Sequence, residues 1–369
     1  MAYVAVRGGT LAIEASLERL RYERVKSGCV LEIDQASAGL AALVDQVMSE
    51  ASLYDPAVAA LAVKQAEGSP EEAVFLLRAF RSTVERIAAT RPAQTEQLFV
   101  ERRLSAAFKD IPGGQWLGAT TDYSHRLIDF SLKDETDASV KAWVRAVEER
   151  WNAVAVPASR REFPKVVDYL RKQDLLAAVA DDDTPPLDVT KGGLTFPTTR
   201  AQRLQTLTRG QTGTVTSLGY ASLRGYGALH PTVGELRVGR LPLFVDPTGE
   251  GPWSEDEGYY IGEVRVTEVE TIVPVETDRG DGRTVLSFDL GYGLCFGKNE
   301  TKTIAMSLLD QVLESGRDAG PLSDEEFVLL HIDSVEATGF ISHLKLPHYV
   351  TFQSKLEGVR ETRKNEARP

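Results

Sequence analysis

The spacing of the apolar residues changes part-way along this chain, and that change limits the fold more than any other feature. Leu40, Leu43, Val44, Val47 and Met48 recur at the three-to-four interval of one helical face. Asp55-Pro56 reads as an N-cap with proline in the first helical position, and Gly68 as a stop. Ser69-Pro70-Glu71-Glu72 has the form of a capping box, with Ala73, Leu76, Phe80, Val84 and Ile87 as the apolar face behind it. Further helices are expected at 95–108, 137–151 and 200–208. Beyond that the period shortens. Val264, Val266, Val269, Ile272 and Val273 alternate with polar residues, and 284–290 and 327–332 repeat the strand pattern. One more helix is expected at 300–314, with Ile304, Ala305, Leu308, Leu309 and Val312 on one face. The expected fold class is α+β, with a mainly helical N-terminal part followed by a mixed α/β C-terminal part. Asp181-Asp182-Asp183, Pro185-Pro186 and Gly192-Gly193 mark 181–197 as a linker or surface loop between a domain at 1–180 and another at 198–350. The tail, 351–369, is charged and poor in apolar residues, so it is expected to fray.

No run of apolar residues is long enough to span a membrane, and the N-terminus has no secretory leader pattern. Cys29 and Cys295 make no disulfide framework, which fits a reducing, cytoplasmic setting. Two thiols also exclude an iron–sulfur cluster held by this chain alone. The net charge of −12 opposes broad binding to nucleic acid. That average conceals a split. Residues 198–240 carry six arginines against one acid, whereas 246–282 carry eleven acids against two arginines. A basic island in an acidic chain suits a local anionic ligand; the alternative is that the two segments pair with each other.

Three groups of residues can carry chemistry. Arg209-Gly210 to Gly213, leading to Arg224-Gly225-Tyr226-Gly227 and His230, combines guanidinium forks with glycines that let a ligand approach the backbone, as a polyphosphate cradle would. A turn-rich connection with solvated arginines is the alternative. Gly291, Gly293, Gly297 and Lys298 sit at a predicted strand-to-helix junction, where backbone amides favour anions. Their spacing fits neither a Walker A loop nor a dinucleotide-binding fingerprint, and a simple tight turn is the alternative. Asp289 and Glu300 flank that stretch and, with Glu235 and Asp129, are candidate catalytic carboxylates for splitting a ribose–base bond. Finally, His343 and His348 lie five apart around Pro347, on a turn or extended loop, and can share a metal. Zinc needs at least one more protein ligand, from His331 or from another chain.

Together, these segments resemble one family. The carrying stretches include Ser52-Leu-Tyr-Asp-Pro56, Val100-Glu-Arg-Arg103, Phe108-Lys-Asp-Ile-Pro-Gly-Gly114 and Asp122-Tyr-Ser-His-Arg-Leu-Ile-Asp-Phe130. Further along come Leu218 to Gly227, His230 to Val238, Tyr292 to Glu300 and Gly339 to His348, in order along nearly the whole chain. The chain resembles the I-subunit family of the bacterial carbon–phosphorus lyase complex, part of the ribose 1-methylphosphonate 5-triphosphate synthase. The acidic stretches near 178–197 and 246–282 match least well.

That resemblance implies an activity. With G, H and L partner subunits, such a chain displaces adenine from MgATP by an alkylphosphonate, giving a ribose 1-phosphonate 5-triphosphate. Alone, it acts as a nucleosidase on ATP or GTP. Cleavage of the C–P bond belongs to the J subunit, a radical iron–sulfur protein. The resemblance also implies that His343 and His348 bind zinc at the interface with J, in an assembly with two copies of this chain. A non-catalytic scaffold holding the shared zinc is the competing reading. A stand-alone zinc hydrolase is disfavoured, because no three-ligand motif is present.

Overall fold

The structure, a computed structural model, describes residues 8–152, 163–176, 186–224, 230–246, 258–278, 284–316 and 320–366. Helix α1 (Gly9–Val25) buries none of its residues. Four short helices, α2 (Ile33–Gly39), α3 (Ala41–Ala51), α4 (Pro56–Gln65) and α5 (Pro70–Arg81), form a core of Val44, Val47, Met48, Ala59, Val63, Ala73, Val74 and Leu77. Asp55 caps as read from sequence, accepting from the amides of Ala57 and Val58 at 3.1 and 3.0 Å. Of the capping box only one half is formed: Ser69 accepts from the Glu72 amide at 3.4 Å, but its own amide donates to the Ala66 carbonyl instead of the Glu72 side chain. Gly68 (φ 86°) returns its amide to Val63. The apolar face of α5 ends sooner than expected. The helix stops at Arg81, leaving Val84 and Ile87 exposed, while Val74 and Leu77 do the burying.

The expected helix at 95–108 is instead a 3-10 turn followed by β1 (Phe99–Leu104). Its hydrogen-bond partner explains this: β1 pairs antiparallel with β2 (Thr232–Val245), a strand more than a hundred residues away that local spacing does not announce. The sheet continues through β3 (Tyr259–Asp278) and β4 (Thr284–Phe296), in the order β1-β2-β3-β4. Between β1 and β2 lie the exposed α6 (Asp137–Asn152) and the short α7 (Val166–Arg171). Then come α8 (Arg200–Arg209) and α9 (Thr212–Arg224). The segment expected to form an open glycine-rich cradle is thus largely helix, and Gly225 to Gly227 lie outside the described residues. After β4 follow α10 (Glu300–Ser315), α11 (Glu325–His331), α12 (Ser334–Ser342) and α13 (Tyr349–Glu366). The strand expected at 327–332 is therefore helical. Asp324 caps it through the Phe327 amide at 3.1 Å, and Val328, Leu329 and Ile332 bury at helical spacing. The tail expected to fray is α13, a helix with no buried residue. No helix among the described residues is long and apolar enough to cross a membrane.

One face of the sheet carries α10, and the contact is close. A Cβ on Gly291 would fall 2.0 Å from the Ser307 carbonyl oxygen, and one on Gly293 would fall 2.4 Å from that of Thr303. In the same layer, α9 meets α10 at Gly219, where a Cβ would lie 2.7 Å from that of Ala305. The opposite face is covered by residues 163–176 and holds a buried network of charge. Arg103 pairs with Glu235, whose other oxygen accepts from the Val166 amide at 3.0 Å. Arg237 donates to Glu268 at 3.0 Å, and Lys165 reaches Glu268 and Glu270 at 2.9 and 3.2 Å. Tyr292 donates its hydroxyl to Glu268 at 3.0 Å. Burial opposes ionisation of Glu268, but Arg237 and Lys165 outweigh it and hold the group at about 2. Burial pushes Glu270 up to about 7, with Glu268 adding to the shift and Lys165 opposing it.

Two outcomes follow for stability. Gly291→Ala must push α10 off β4 and should cost about 1–3 kcal/mol in urea denaturation. Glu270 holds its proton more tightly folded than unfolded, so its contribution to stability is lost as pH rises from its ordinary 4.5 to about 7. Glu268 has the opposite sign and weakens the fold only as pH falls from 4.5 towards 2. Glu270→Gln should therefore flatten the decline in Tm between about pH 5 and pH 8. A decline as steep as that of the unsubstituted chain would show that Glu270 is not the titrating group.

Candidate active site

Adjacent residues on a strand project to opposite faces. Arg103 enters the buried network, so Arg102 emerges on the α10 side of β1. There its Nε lies 3.0 Å from Glu300 Oε1, and its two terminal nitrogens donate to the Asp122 carboxylate and the Leu117 carbonyl. The Arg102 side chain is only 3% exposed. Glu300 opens α10, and the residues before it are tightly held. The Gly297 amide donates to the Arg265 carbonyl at 2.7 Å, and the Lys298 amide to Asp45 at 2.8 Å. Asn299 is anchored from both sides, by Thr267 Oγ1 at 3.0 Å and by the Asp45 carbonyl at 3.1 Å. Gly297 has φ 67°, and a Cβ there would collide with the Asp45 carboxyl, so this position requires glycine. Burial raises the Asp45 pKa against the pull of the Lys298 amide and Arg265. Lys298 extends to the Ala119 carbonyl and passes 3.7 Å from Glu300 Oε1.

Arg102, Leu117, Asp122 and Glu300 line an open cleft of about 660 Å³, with Ser105, Lys109, Gln115 and Tyr123 on its other walls. Asn299 places no side-chain cap over the first turn of α10, and Thr301 lines the cleft. The Thr120 hydroxyl, then Arg102 and Arg126, hold the Asp122 carboxyl below its ordinary range. A second cleft of similar size, about 660 Å³, shares Ala106 with the first. Its walls are mainly apolar and aromatic, with Phe108, Tyr169, Ile272 and Phe288, and His230 stands among them. The two adjoining clefts can thus receive a molecule with a flat apolar end and a polar, anionic end.

The structure separates the sequence candidates. Glu300 lines the cleft, Gly297 and Lys298 lie in the held turn just before it, and His230 lines the neighbouring cleft. Gly291 and Gly293 lie within β4 rather than at a turn, and their role is helix–sheet contact. Asp289 accepts from Gln311 at 2.9 Å. That residue is eleven positions along α10 from Glu300, so about 16 Å away along the axis. Asp289 and Glu300 therefore cannot flank one reacting atom. Glu235 is wholly engaged by Arg103 and the Val166 amide, and Asp129 caps a turn through Ser131. Arg224 lies exposed over the Tyr220 ring, and Arg209 donates to Ser52 at 3.1 Å. Much of the basic island meets acids. Arg237 and Arg240 pair with Glu268 and Glu263 of the acidic stretch, Arg200 pairs with Asp310 at 2.6 Å, and Arg203 pairs with Glu314 and Glu325. Sequence reasoning gave no role to Arg102, Lys109, Asp122 or Tyr123. The signal available was the Arg102-Arg103 doublet, had its segment been read as a strand.

The histidine pair lies between α12 and α13, with ring centroids 5.3 Å apart. His343 Nδ1 donates to the Phe340 carbonyl and His348 Nδ1 to that of Leu346 at 2.6 Å. This leaves both Nε2 atoms as the basic, ligating nitrogens, the arrangement that metal-binding histidines use. His331 does not join them. Its Nδ1 donates to the Phe327 carbonyl at 2.7 Å, and no group of three or more candidate ligands occurs among the described residues.

Residues 2–366 match the family of bacterial phosphonate metabolism proteins called PhnI. The chain belongs to that family. The PhnI subunit of alpha-D-ribose 1-methylphosphonate 5-triphosphate synthase from Escherichia coli K12 is 40% identical over 372 residues, covering 99% of each chain. Its Rhizobium meliloti counterpart is 41% identical over 373 residues, covering 98% of this chain and 95% of that one. HtxH of Stutzerimonas stutzeri is 43% identical over 369 residues, covering 98% and 96%. In this PhnI-family chain, Arg102 is the keystone of the cleft. Arg102→Ala should cost on the order of 2 kcal/mol in urea denaturation, since it leaves Glu300 and Asp122 without their shared cation. Glu300→Gln, which keeps the shape of the contact, should cost clearly less.

Proposed function

We propose that this chain is the nucleotide-processing subunit of a carbon–phosphorus lyase system in the cytoplasm. In this reading it works with G, H, J and L partner subunits, as one of two copies in the assembly. Together with the G, H and L partners it displaces adenine from MgATP by an alkylphosphonate, giving ribose 1-phosphonate 5-triphosphate. Alone it lets water take the place of the phosphonate and releases the base from ATP or GTP. The names of the relatives support the substrate class. The observation that carries the site is Glu300, held by Arg102 at the mouth of a polar cleft that adjoins an aromatic one.

The aromatic cleft takes the purine, and Lys109 and Lys298 meet the triphosphate and its magnesium-bound oxygens. As the bond from the ribose anomeric carbon to the base nitrogen breaks, its electron pair leaves with the base, which takes a proton from His230. Glu300 faces the positive charge that develops on the ribose ring. Arg102 keeps that carboxylate oriented. A phosphonate oxygen or water then bonds to the anomeric carbon from the other face, the water releasing one proton to solvent as its bond forms. Completion of the cleft by partners would exclude water and favour the phosphonate. Zinc, held by Nε2 of His343 and His348 and closed by a ligand from a partner, would supply a fixed cationic centre at the subunit interface.

Two variants test this reading. Glu300→Gln should lower base release from ATP by the isolated chain by ~10²–10⁴-fold while leaving its folding transition in place. The double variant His343→Ala/His348→Ala should release base normally but lose zinc from the assembled complex. Full activity in Glu300→Gln would move the chemistry to a partner and leave this chain a scaffold. Loss of base release in the folded histidine variant would remove the separation between the two sites.

A further inference from the structure

The aromatic cleft crosses the sheet. It begins at Ala106, which also lines the polar cleft and whose amide donates to the Val233 carbonyl at 3.0 Å. It then passes the paired Thr232 and Ile272 of β2 and β3, and the paired Pro274 and Phe288 of β3 and β4. Phe288 thus lies three strand spacings from Ala106, roughly 14 Å. Residues 169–175 run over the same span. The Tyr169 ring meets that of Phe108 edge-on at 5.6 Å at the Ala106 end, and the Leu175 carbonyl accepts from the Phe288 amide at 2.9 Å at the other.

Gln173 stands towards the Phe288 end of this segment and lines the cleft. Its backbone is held. After α7 the chain closes in a turn with Asp174 left-handed (φ 57°). The backbone N–H of Leu175 returns to the Leu170 carbonyl at 3.1 Å, and that of Asp174 to the Arg171 carbonyl at 3.0 Å. The backbone N–H of Gln173 also donates to Leu170, at 3.1 Å. On either side, Leu170 and Leu176 are buried in one cluster with Ile272. The side-chain amide, by contrast, makes no hydrogen bond among the described residues.

Tyr169, His230 and Thr232 also bring hydrogen-bonding groups to the cleft. Tyr169 meets Phe108 at the Ala106 end, and His230 and Thr232 belong to the start of β2, the strand next to Ala106. Among the lining side chains, the Gln173 amide sets a donor and a separate acceptor side by side beyond them. That pair matches the edge of a purine remote from its ribose bond. In adenine, N1 accepts and the 6-amino group donates; in guanine, N1 donates and the 6-oxo group accepts. An amide meets the first pattern in one orientation and the second after a half-turn about its terminal bond.

We propose that Gln173 is a specificity-determining residue of this cleft, reading the N1 and C6 edge of the base and serving both 6-amino and 6-oxo purines by turning its amide. The inference rests on the reading of the cleft as a purine site and adds the group that selects the base.

Kinetics of base release by the full chain, with ATP, GTP and the triphosphate of purine riboside (which lacks the 6-amino group), test it beside calorimetric binding of the same nucleotides. Gln173→Leu should lower kcat/KM for ATP and GTP by about tenfold and lose most of the unsubstituted chain's preference for ATP over the purine riboside compound. Gln173→Glu, which only accepts, should shift the ATP-to-GTP ratio about tenfold towards GTP, whose N1 and 2-amino groups both donate. Base release with both ratios unchanged in the two folded variants sinks the role of Gln173 and leaves the release reaction standing. Ratios that shift in binding, in a chain that releases no base, keep Gln173 as the edge reader and sink the release reaction. Neither binding nor release of these nucleotides by the unsubstituted chain overturns both.

Discussion

The close contact of α10 with β4 sets the position of nearly everything else in the C-terminal half. It exists because Gly291 and Gly293 present no side chain where the Ser307 and Thr303 carbonyls approach. Thr271 and Ser307, paired hydroxyl to hydroxyl at 2.5 Å, lie in the same buried layer. With the helix seated so near the sheet, its first residue falls beside β1. Glu300 then meets Arg102, and the anchors at Gly297, Lys298 and Asn299 leave that meeting little freedom. A larger residue at position 291 would therefore disturb the cleft without touching it.

The sheet divides the work between its faces. Behind it, Arg103, Glu235, Arg237, Glu268, Glu270, Lys165 and Tyr292 satisfy one another out of reach of water, as buried charges must. In front, Arg102 and Lys109 bring charge to an open cleft. Two neighbouring arginines on one strand thus serve different ends, one joining covering segments to the sheet and the other holding Glu300 at the cleft. The charge split in the sequence has a corresponding double meaning. Arg237 and Arg240 answer the acidic stretch, while Arg209 turns to the Ser52 hydroxyl.

Other parts of the chain look outward. α1 and α13 bury nothing, yet Leu11, Leu17, Leu20, Val350, Phe352 and Val359 are exposed on them. Phe340, Ile341, Leu344 and Leu346 are likewise exposed around the histidine pair. Apolar surface of this extent suits a chain that works in an assembly. It also fits the proposed zinc site, for which the described residues offer two ligands.

What the sequence determined by itself was local. The caps at Asp55 and Ser69, the stop at Gly68, the α3 stripe and the extent of α10 rest on interactions within a few residues, and the α+β class follows from the two apolar periods. The approach of two histidines around Pro347 is local as well. Tertiary structure alone decided the rest. β1 was legible as helix because its strand character comes from pairing with β2 across the chain. Residues 327–332 carry a β-like composition, but an Asp324 cap and burial at helical spacing make them a helix. Glu235, Asp289 and Glu300 are the same kind of group in sequence. Only the fold sends one behind the sheet, one to the far end of α10 and one to the cleft. A carboxylate's chemistry depends on which partners surround it, and those partners come from distant parts of the chain.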